Sequence, residues 1–284
     1  MTRPNSVATR DSIMLAVKTW PFSGRVGLLI IAFWAVVAVV GPWLIPERLM
    51  DMSSNVFEGV SAAHVLGTDY LGRDMLVRLI QGAGYTMGVA LLATCLACLT
   101  GLSLGLLAAV LGGSMDSVLS RTMDTLVSIP SKMFALVVVA AFGSSVPLLI
   151  ITAAVVYTPG AYRIARSLAV NLNAMDFVTV SRIRGEKNRY IMFHEILPGM
   201  KGPLLADMGL RFIYVVLLMA SLGFLGLGVQ PPDADWGSLV RENIGALAAG
   251  GISVLGPAFA IASLTIAVNL VVDNLPSRNE KGGQ

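Results

Sequence analysis

Few residues of this 284-residue chain have the types and spacing that catalysis or metal binding needs. Its two histidines, His64 and His194, are far apart, and neither lies in an HExxH pattern. Cys95 and Cys98 form a CxxC spacing inside an apolar run without a nearby histidine or further thiol, so they are interpreted as inert packing residues. No GxxxxGK[ST] or GxSxG pattern occurs. We therefore expect no catalytic residue, no metal site and no cofactor on this chain.

The polar stretch with the most unusual charge pattern covers residues 176–198, DFVTVSRIRGEKNRYIMFHEILP. It holds four basic residues within eight positions, namely Arg182, Arg184, Lys187 and Arg189. Gly185 is predicted to separate two short helices, and Pro198 is predicted to end the second of them. Such a unit would form a compact protrusion at the membrane face.

Two interpretations of this protrusion stay open on composition. It could be a basic interfacial helix that anionic lipid headgroups hold in place. Alternatively, Phe177 and Val180 could fill the groove of a protein partner, as the apolar face of an amphipathic helix does.

Composition indicates that lipid is the main solvent of the chain. Hydrophobic residues make up 55% of the sequence and charged residues 13%, with a mean hydropathy of +0.76. In soluble domains about 25% of residues are charged. The net charge of +3 is too small and too dispersed for nucleic-acid binding, so nucleic acid is not expected as a partner.

Six apolar segments approach or reach the length of about 20 residues that a membrane-spanning helix needs. They cover residues 26–45, 85–111, 132–142, 146–162, 204–229 and 252–272. The third is short, but the amphipathic residues before it could extend it into the cytoplasm. The fourth is expected to be interrupted at Pro159 and Gly160. The predicted fold class is an all-α, polytopic membrane protein with six transmembrane helices.

The distribution of basic residues predicts the orientation. With a cytoplasmic N-terminus, only four of the 20 Lys and Arg lie outside, namely Arg48, Arg73, Arg78 and Arg241. Both termini and the stretch 176–198 are then cytoplasmic. The predicted organisation is a cytoplasmic segment 1–25, a first transmembrane helix with a long extracytoplasmic loop over 26–84, a five-helix core over 85–273 that includes a cytoplasmic loop 170–200, and a cytoplasmic tail 274–284.

The first outside loop ends in HVLGTDYLGRDMLVRLIQGAG, where Asp69 and Asp74 flank Arg73. Apolar residues recur at helical spacing from Leu71 onward, which is typical of a helix lying on the membrane surface. One interpretation is a solvated loop with a weak local ion pair, worth under about 1 kcal/mol. The other is a gate element or a docking surface for an external partner.

The second outside loop reads GVQPPDADWGSLVRENIGALAAGG. Pro231 and Pro232 predict an extended entry, and Asp235 is expected to cap a short helix that begins at Trp236. A tryptophan at this depth is typical of the interfacial aromatic belt. Membrane anchoring is therefore preferred over ligand contact for Trp236.

The spanning segments themselves carry two notable patterns. Gly84/Gly88 and Gly101/Gly105 are GxxxG pairs, for which packing within one bundle is preferred over a subunit interface. Asp207 and Arg211 are four residues apart, in the favoured order for a helical ion pair. Snorkelling to the cytoplasmic boundary is preferred as their explanation over a role in a transport pathway.

No spanning segment carries a chain of acidic residues or histidines suited to proton relay. The chain therefore resembles a passive conduit that takes its energy from another polypeptide. Two other classes remain as alternatives, a membrane-embedded enzyme or its anchor subunit and a stand-alone secondary transporter. The first needs a polar catalytic group at bilayer depth, and the second needs coupling-ion ligands and often a doubled repeat.

The stretch 176–198 resembles the coupling motif of type I ABC importer permeases, in which a Gly is followed thirteen residues later by a Pro, here Gly185 and Pro198. Thr179, Val180 and Ser181 stand where the family usually begins with Glu-Ala-Ala. The adjacent pair Ser181 and Arg182 resembles the residue pair found at this place in the peptide branch of that family.

Two further motifs resemble the C-type permease subunit of dipeptide, oligopeptide and nickel importers. One is HVLGTDYLGRDMLVRLIQGA, in which Val77 replaces the usual Ser, and the other is LGFLGLGVQPPDADWGSLV. The last helix departs from the family, because Asp273 is followed by Asn-Leu-Pro-Ser instead of a stretch ending in Leu-Arg-Asp. The three motifs occur in order across nearly the whole chain.

The resemblance implies the type I ABC importer permease fold in a bacterial inner membrane, with a second, similar permease as heterodimer partner. It also implies two cytoplasmic ATPase subunits that bind ATP and Mg, and an extracytoplasmic substrate-binding protein. The implied ATPase-coupling residues are Asp176, Phe177, Val180, Ser181, Arg182, Gly185 and Pro198. The implied gate or binding-protein contacts are Gly67, Thr68, Asp69, Gly72, Arg73, Asp74, Pro231, Pro232 and Trp236. The substrate stays open among dipeptides, oligopeptides, nickel chelates and related solutes.

Overall fold

A computed structural model describes residues 21–45, 55–248 and 252–275. Nearly all of these residues lie in helices, and no strand occurs among them, so the predicted all-α fold class is confirmed. The predicted segment 1–25 and tail 274–284 lie mostly outside the described residues, as does the beginning of the first outside loop with Arg48.

Nine helices follow one another in the described part of the chain. They are α1 (Phe22–Leu44), α2 (Met75–Leu111), α3 (Gly113–Ser128), α4 (Ser131–Phe142), α5 (Val146–Asn173), α6 (Asp176–Ile183), α7 (Asn188–Phe224), α8 (Trp236–Glu242) and α9 (Leu255–Asp273). A short 3-10 helix, Ile244–Leu247, follows α8. Five of the helices, α1, α2, α5, α7 and α9, are each long and apolar enough to cross a membrane. The bent pair of α3 and α4 raises the number of spans to as many as six.

The helices alternate between two ends of one bundle. At the α6 end, the amide of Asn274 donates to Ser23 at 3.2 Å, so α1 begins where α9 ends. At the same end, Asn173 donates to the carbonyl of Ala109 at 2.9 Å. The α8 end holds the loop before α2 and the connection between α7 and α9.

The predicted surface helix of the first loop is wrong. Met75, Leu79 and Ile80 form the first turns of α2, which runs unbroken for 37 residues, or about 55 Å. The Asp74 carboxylate accepts a hydrogen bond from the Val77 N–H and so caps this helix. The long outside loop is thus shorter than the hydropathy pattern suggested.

The predicted extension of the third helix by the amphipathic residues before it is not one continuous helix, because α3 and α4 meet at an angle of 80°. Ile129 takes an extended backbone conformation (φ −89°, ψ 124°) directly before Pro130. A proline disfavours the helical conformation in the residue before it. The helix therefore ends at Ser128 and a new one starts at Ser131 in a different direction.

Two other prolines do not break their helices, against expectation. α5 continues through Pro159 to Asn173, and the Thr158 hydroxyl donates to the Ala154 carbonyl beside the proline. α7 contains Pro198 near its beginning, after a π-helical turn at Ile191–Ile196. The expected end of a second short helix at Pro198 is therefore wrong.

Small residues allow α2 and α5 to pack together more extensively than any other pair of described helices. A Cβ atom on Gly101 would lie 2.5 Å from the Cβ of Ala161, and one on Gly105 would lie 2.8 Å from that of Ala165. Tight packing within one bundle thus explains this GxxxG pair. The other pair differs, since a Cβ on Gly88 would meet nothing within 4 Å.

Candidate functional site

Asp69 organises the loop that precedes α2. Its carboxylate accepts hydrogen bonds from the backbone N–H groups of Leu71 and Arg73, both at 2.8 Å, and from Nε of Arg73 at 2.6 Å. Its side chain is fully buried. The interpretation of a solvated loop with a weak surface ion pair is therefore wrong, because the pair is withdrawn from water.

The ends of the same loop are joined by backbone and side-chain bonds. Thr68 and Asp74 form an antiparallel bridge, and Met75 N–H donates to the Gly67 carbonyl. Nδ1 of His64 lies 2.9 Å from Oδ2 of Asp74. These bonds join the two ends of the loop and so fix the position at which α2 begins.

Trp236, the first residue of α8, is completely buried. Its indole N–H donates to the Leu79 carbonyl at 3.0 Å, and its backbone N–H donates to the Thr86 hydroxyl at 3.0 Å. The interpretation as an interfacial belt residue is therefore wrong. Trp236 instead attaches the connection between α7 and α9 to α2.

Asp235 caps α8 as expected and does more than a cap needs. Its buried carboxylate accepts from the N–H groups of Gly237, Ser238 and Val229, at 2.8, 3.0 and 2.9 Å, and from the Ser238 hydroxyl at 2.7 Å. A Cβ on Gly223 would lie 2.5 Å from Oδ1 of Asp235, so the glycine leaves the space for this carboxylate. The cap therefore also fixes the residues that follow α7.

Most of the predicted gate or binding-protein contacts lie together at the α8 end, and most are buried. The buried ones are Gly67, Thr68, Asp69, Gly72, Asp74 and Trp236, whereas Arg73 is partly buried. Pro231 and Pro232 are exposed. Direct contact with a partner stays a prediction for the exposed prolines. The buried residues pack beneath the surface on which those prolines lie.

Sequence reasoning missed Glu242 in α8 and its link to Arg78. Oε2 of Glu242 lies 3.7 Å from Nη2 of Arg73 and 3.9 Å from Nη2 of Arg78. Arg78 donates to the Pro232 carbonyl at 2.7 Å. Burial raises the pKa of the Glu242 carboxyl from its ordinary value, more than the two guanidinium groups lower it. Only the fold brings these charges together, because Glu242 is distant in sequence from Arg73 and Arg78.

The predicted coupling residues lie at the opposite end, where α6 presents two different faces. Val178 and Ser181 are buried against the bundle, and the Ser181 hydroxyl donates to Glu195 of α7 at 2.8 Å. Phe177 and Val180 are exposed, and Ile183 is 81% exposed. The segment is therefore an amphipathic helix whose outer face carries apolar side chains that no described residue covers.

A glycine turn connects α6 to α7 as the sequence predicted. Gly185 has a φ of +81°, a conformation that glycine adopts without strain. Arg182 donates to the side chain of Asn173 at 2.7 Å, which holds α6 against the end of α5. Pro198 is exposed but lies inside α7, away from that turn.

Asp207 and Arg211 form the expected ion pair inside α7. Nε and Nη2 of Arg211 donate to the two carboxylate oxygens at 2.7 and 2.8 Å, and Nη1 donates to the Tyr157 carbonyl of α5 at 3.0 Å. Arg211 is buried. The snorkelling interpretation is wrong, because the guanidinium group points into the bundle and bonds to a neighbouring helix.

Comparison with known proteins assigns the family. Residues 101–281 match the model of the family described as binding-protein-dependent transport system inner membrane component. The dipeptide transport system permease protein DppC of Alkalihalophilus pseudofirmus is 34% identical over 251 residues, which cover 88% of this chain and 83% of the relative. The protein of the same name from Haemophilus influenzae is 32% identical over 257 residues, which cover 88% of this chain and 87% of the relative.

A solved structure titled "Crystal structure of an amino acid ABC transporter with histidines" is a more distant match. It is 18% identical to this chain with a TM-score of 0.48, and the match covers 69% of this chain and 90% of that one. The family match and the two curated relatives, together with the multi-span helical bundle, establish the family without this solved structure. This chain belongs to the family of inner membrane components of binding-protein-dependent transport systems, the permease subunits of ABC importers.

Proposed function

We propose that this chain is one of two permease subunits of an ATP-driven importer of short peptides. The names of the curated relatives support peptides as the substrate class. ATP and Mg would be bound by two partner ATPase subunits, and a similar second permease would complete the pathway. The importer would receive its substrate from an extracytoplasmic binding protein.

The outer face of α6 is the observation that carries the coupling part of the proposal. Phe177, Val180 and Ile183 expose apolar surface beside the basic side chains of Arg182 and Arg184. Apolar anchors on a short amphipathic helix are suited to a groove on a protein partner. We assign that groove to the ATPase subunits, on the side where both chain termini lie in the proposed topology.

The contacts of α6 supply a route for movement. The Ser181–Glu195 hydrogen bond joins α6 to the first turns of α7. From there α7 continues to Phe224 at the other end of the bundle. Movement of the ATPases against α6 would thus be carried along the roughly 45 Å of helix between Glu195 and Phe224. At the far end, the buried Asp235 cap follows α7 within a short connection. In this proposal, the exposed Pro231 and Pro232 face the binding protein.

The assembled importer in liposomes tests this function. We expect peptide uptake that requires ATP, the binding protein and both permeases. Phe177→Asp should release the ATPase subunits during purification and abolish binding-protein-stimulated ATP hydrolysis, because it places a charge in the proposed groove. Val60→Asp adds the same charge to an exposed valine at the α8 end and should leave the ATPase subunits bound.

Two results would count against the proposal. If wild-type importer takes up no peptide, the assigned transport function is wrong. If Phe177→Asp weakens only the attachment of α6 to anionic liposomes and leaves the ATPase subunits bound, α6 is a lipid contact.

A further inference from the structure

We propose that the carboxylate of Asp207 contacts the N-terminal ammonium group of the peptide during translocation, with Arg211 as the residue that positions it. This inference rests on the proposed peptide-import function. It assigns a substrate contact inside the membrane to this chain, in addition to the selection made by the binding protein.

The position of the pair is costly without a function or an aqueous neighbour. Arg211 lies within the spanning helix α7, about 20 Å along that helix from its end at Phe224. Ionised side chains at such depth face the interior of a bundle or a water-filled cavity. A well-packed apolar pair of similar volume is often as stable as a buried ion pair, or more stable. Stabilisation of the fold is therefore a weak explanation for the presence of the Asp207–Arg211 pair.

A cavity lies directly beside the carboxylate. It has a volume of about 210 Å³ between α2, α5 and α7, and its walls include Cys95, Cys98, Leu102, Ala161, Leu204 and Asp207. It has room for several water molecules, because each takes about 30 Å³ in the liquid. Exposed Leu99 and Leu205 lie at its edge, so the cavity opens on the surface of the bundle. Asp207 is the only charged residue in this lining.

The two charges of the pair differ in their access to this cavity. The guanidinium group of Arg211 is covered, since it bonds to both Asp207 oxygens and to the Tyr157 carbonyl. It also packs over Gly160, where a Cβ would lie only 2.6 Å from Nη1. Asp207, which is 17% exposed against 9% for Arg211, lines the cavity, whereas Arg211 does not. The charged group that a solute meets is therefore a hydrogen-bond acceptor.

An acceptor in an otherwise apolar cavity is suited to the ammonium end of a short peptide. A carboxylate has about four lone-pair positions, so it can bind Arg211 and a further donor together. The α-amino group has an ordinary pKa near 7.7–8.0 and is mostly protonated at neutral pH. Apolar walls around the carboxylate accommodate side chains of different shapes. The geometry thus suits a feature that all unblocked peptides share.

The test uses the complete importer in liposomes, supplied with a defined pool of unlabelled dipeptides that mass spectrometry quantifies after uptake. Asp207→Asn should lower ATP-driven uptake at least about tenfold, because a hydrogen bond to a charged group is lost. Subunit assembly is measured alongside uptake. Asp124→Asn is the matched control, since Asp124 pairs with Arg163 on an exposed surface.

The double variant Asp207→Asn/Arg211→Gln separates substrate contact from folding. It leaves no unpaired buried charge, so it should assemble even if Asp207→Asn alone does not. We expect its uptake to be as low as that of Asp207→Asn. Uptake near the wild-type rate in the double variant would overturn the inference and assign the pair a structural role. Absence of uptake in the wild type would instead overturn the proposed import function.

Discussion

The indole rings of Trp34 and Trp236 meet edge to face, with centroids 4.8 Å apart and planes at 66°. Each ring also donates its N–H, from Trp34 to the Ser263 hydroxyl and from Trp236 to the Leu79 carbonyl. Aromatic pairs in this arrangement contribute about 0.5–1.5 kcal/mol beyond their buried area. Trp236 thus connects α8 to α1 through the ring contact and to α2 through its hydrogen bond. Trp34 in turn bonds α1 to α9.

Replacing Trp236 tests that role. Trp236→Ala should lower the free energy of unfolding by about 3–5 kcal/mol, because it removes a fully buried ring. Denaturant unfolding of the isolated subunit in mixed micelles measures the change. Trp43→Ala is the control, since Trp43 is 88% exposed, and its effect should be small. Equal effects of the two substitutions would contradict a central role for Trp236.

The α2–α5 contact gives a second prediction. Gly101→Ala should destabilise the isolated subunit by about 1–3 kcal/mol, because the added methyl group would overpack against Ala161 and the Tyr162 backbone. Gly88→Ala lies on the same helix but meets open space within the described part of the chain, so it should be neutral or slightly stabilising. The same unfolding measurement distinguishes them. Similar effects at both positions would mean that helix propensity, rather than close packing, determines the change in the free energy of unfolding.

Hydropathy predicted the spans well because lipid exposure depends on local composition. The long apolar runs of α1, α2 and α9 needed only their sequences to be recognised. Prolines were harder to interpret. A helix ends before the exposed Pro130, whereas α5 continues through the buried Pro159, because the outcome depends on what the neighbouring helices and side chains provide.

Burial of polar side chains could not be predicted, because it arises from segments distant in sequence. Asp69 and Asp235 are ordinary loop residues in the sequence, and only the fold surrounds each with donors. Trp236 was predicted as an interfacial belt residue from its residue type and its place near a span, whereas the fold buries it against Leu79 and Thr86. By contrast, the Gly185 turn was predicted because a glycine between two polar helical stretches is a local signal.

Glu242 gives a prediction about pH. Burial raises the pKa of its carboxyl in the folded chain, so the folded state binds this proton more tightly than the unfolded state does. Its contribution to stability is fully present below the unfolded pKa of about 4.3 and is lost as the pH rises through the raised folded value. Glu242→Gln should remove this part of the decrease in the free energy of unfolding with rising pH.

Unfolding of the wild type and the variant at a series of pH values measures the difference. Glu186→Gln provides the control, because Glu186 is exposed. If Glu242→Gln instead becomes progressively less stable than the wild type as the pH rises, the ionised carboxylate is stabilised by Arg73 and Arg78. The sign inferred from burial would then be wrong.

Gly185 tests the coupling role of α6 without a change in its outer face. A Cβ at this position would meet nothing within 4 Å, so a substitution acts only through its φ of +81°. Valine is strained there by about 1–2 kcal/mol, whereas asparagine tolerates this conformation. Gly185→Val should therefore shift α6 relative to α7 and abolish both peptide uptake and binding-protein-stimulated ATP hydrolysis, while the subunit still inserts and assembles. Gly185→Asn should retain both activities. ATP-driven uptake at the wild-type rate in Gly185→Val would show that α6 does not transmit the movement of the ATPases.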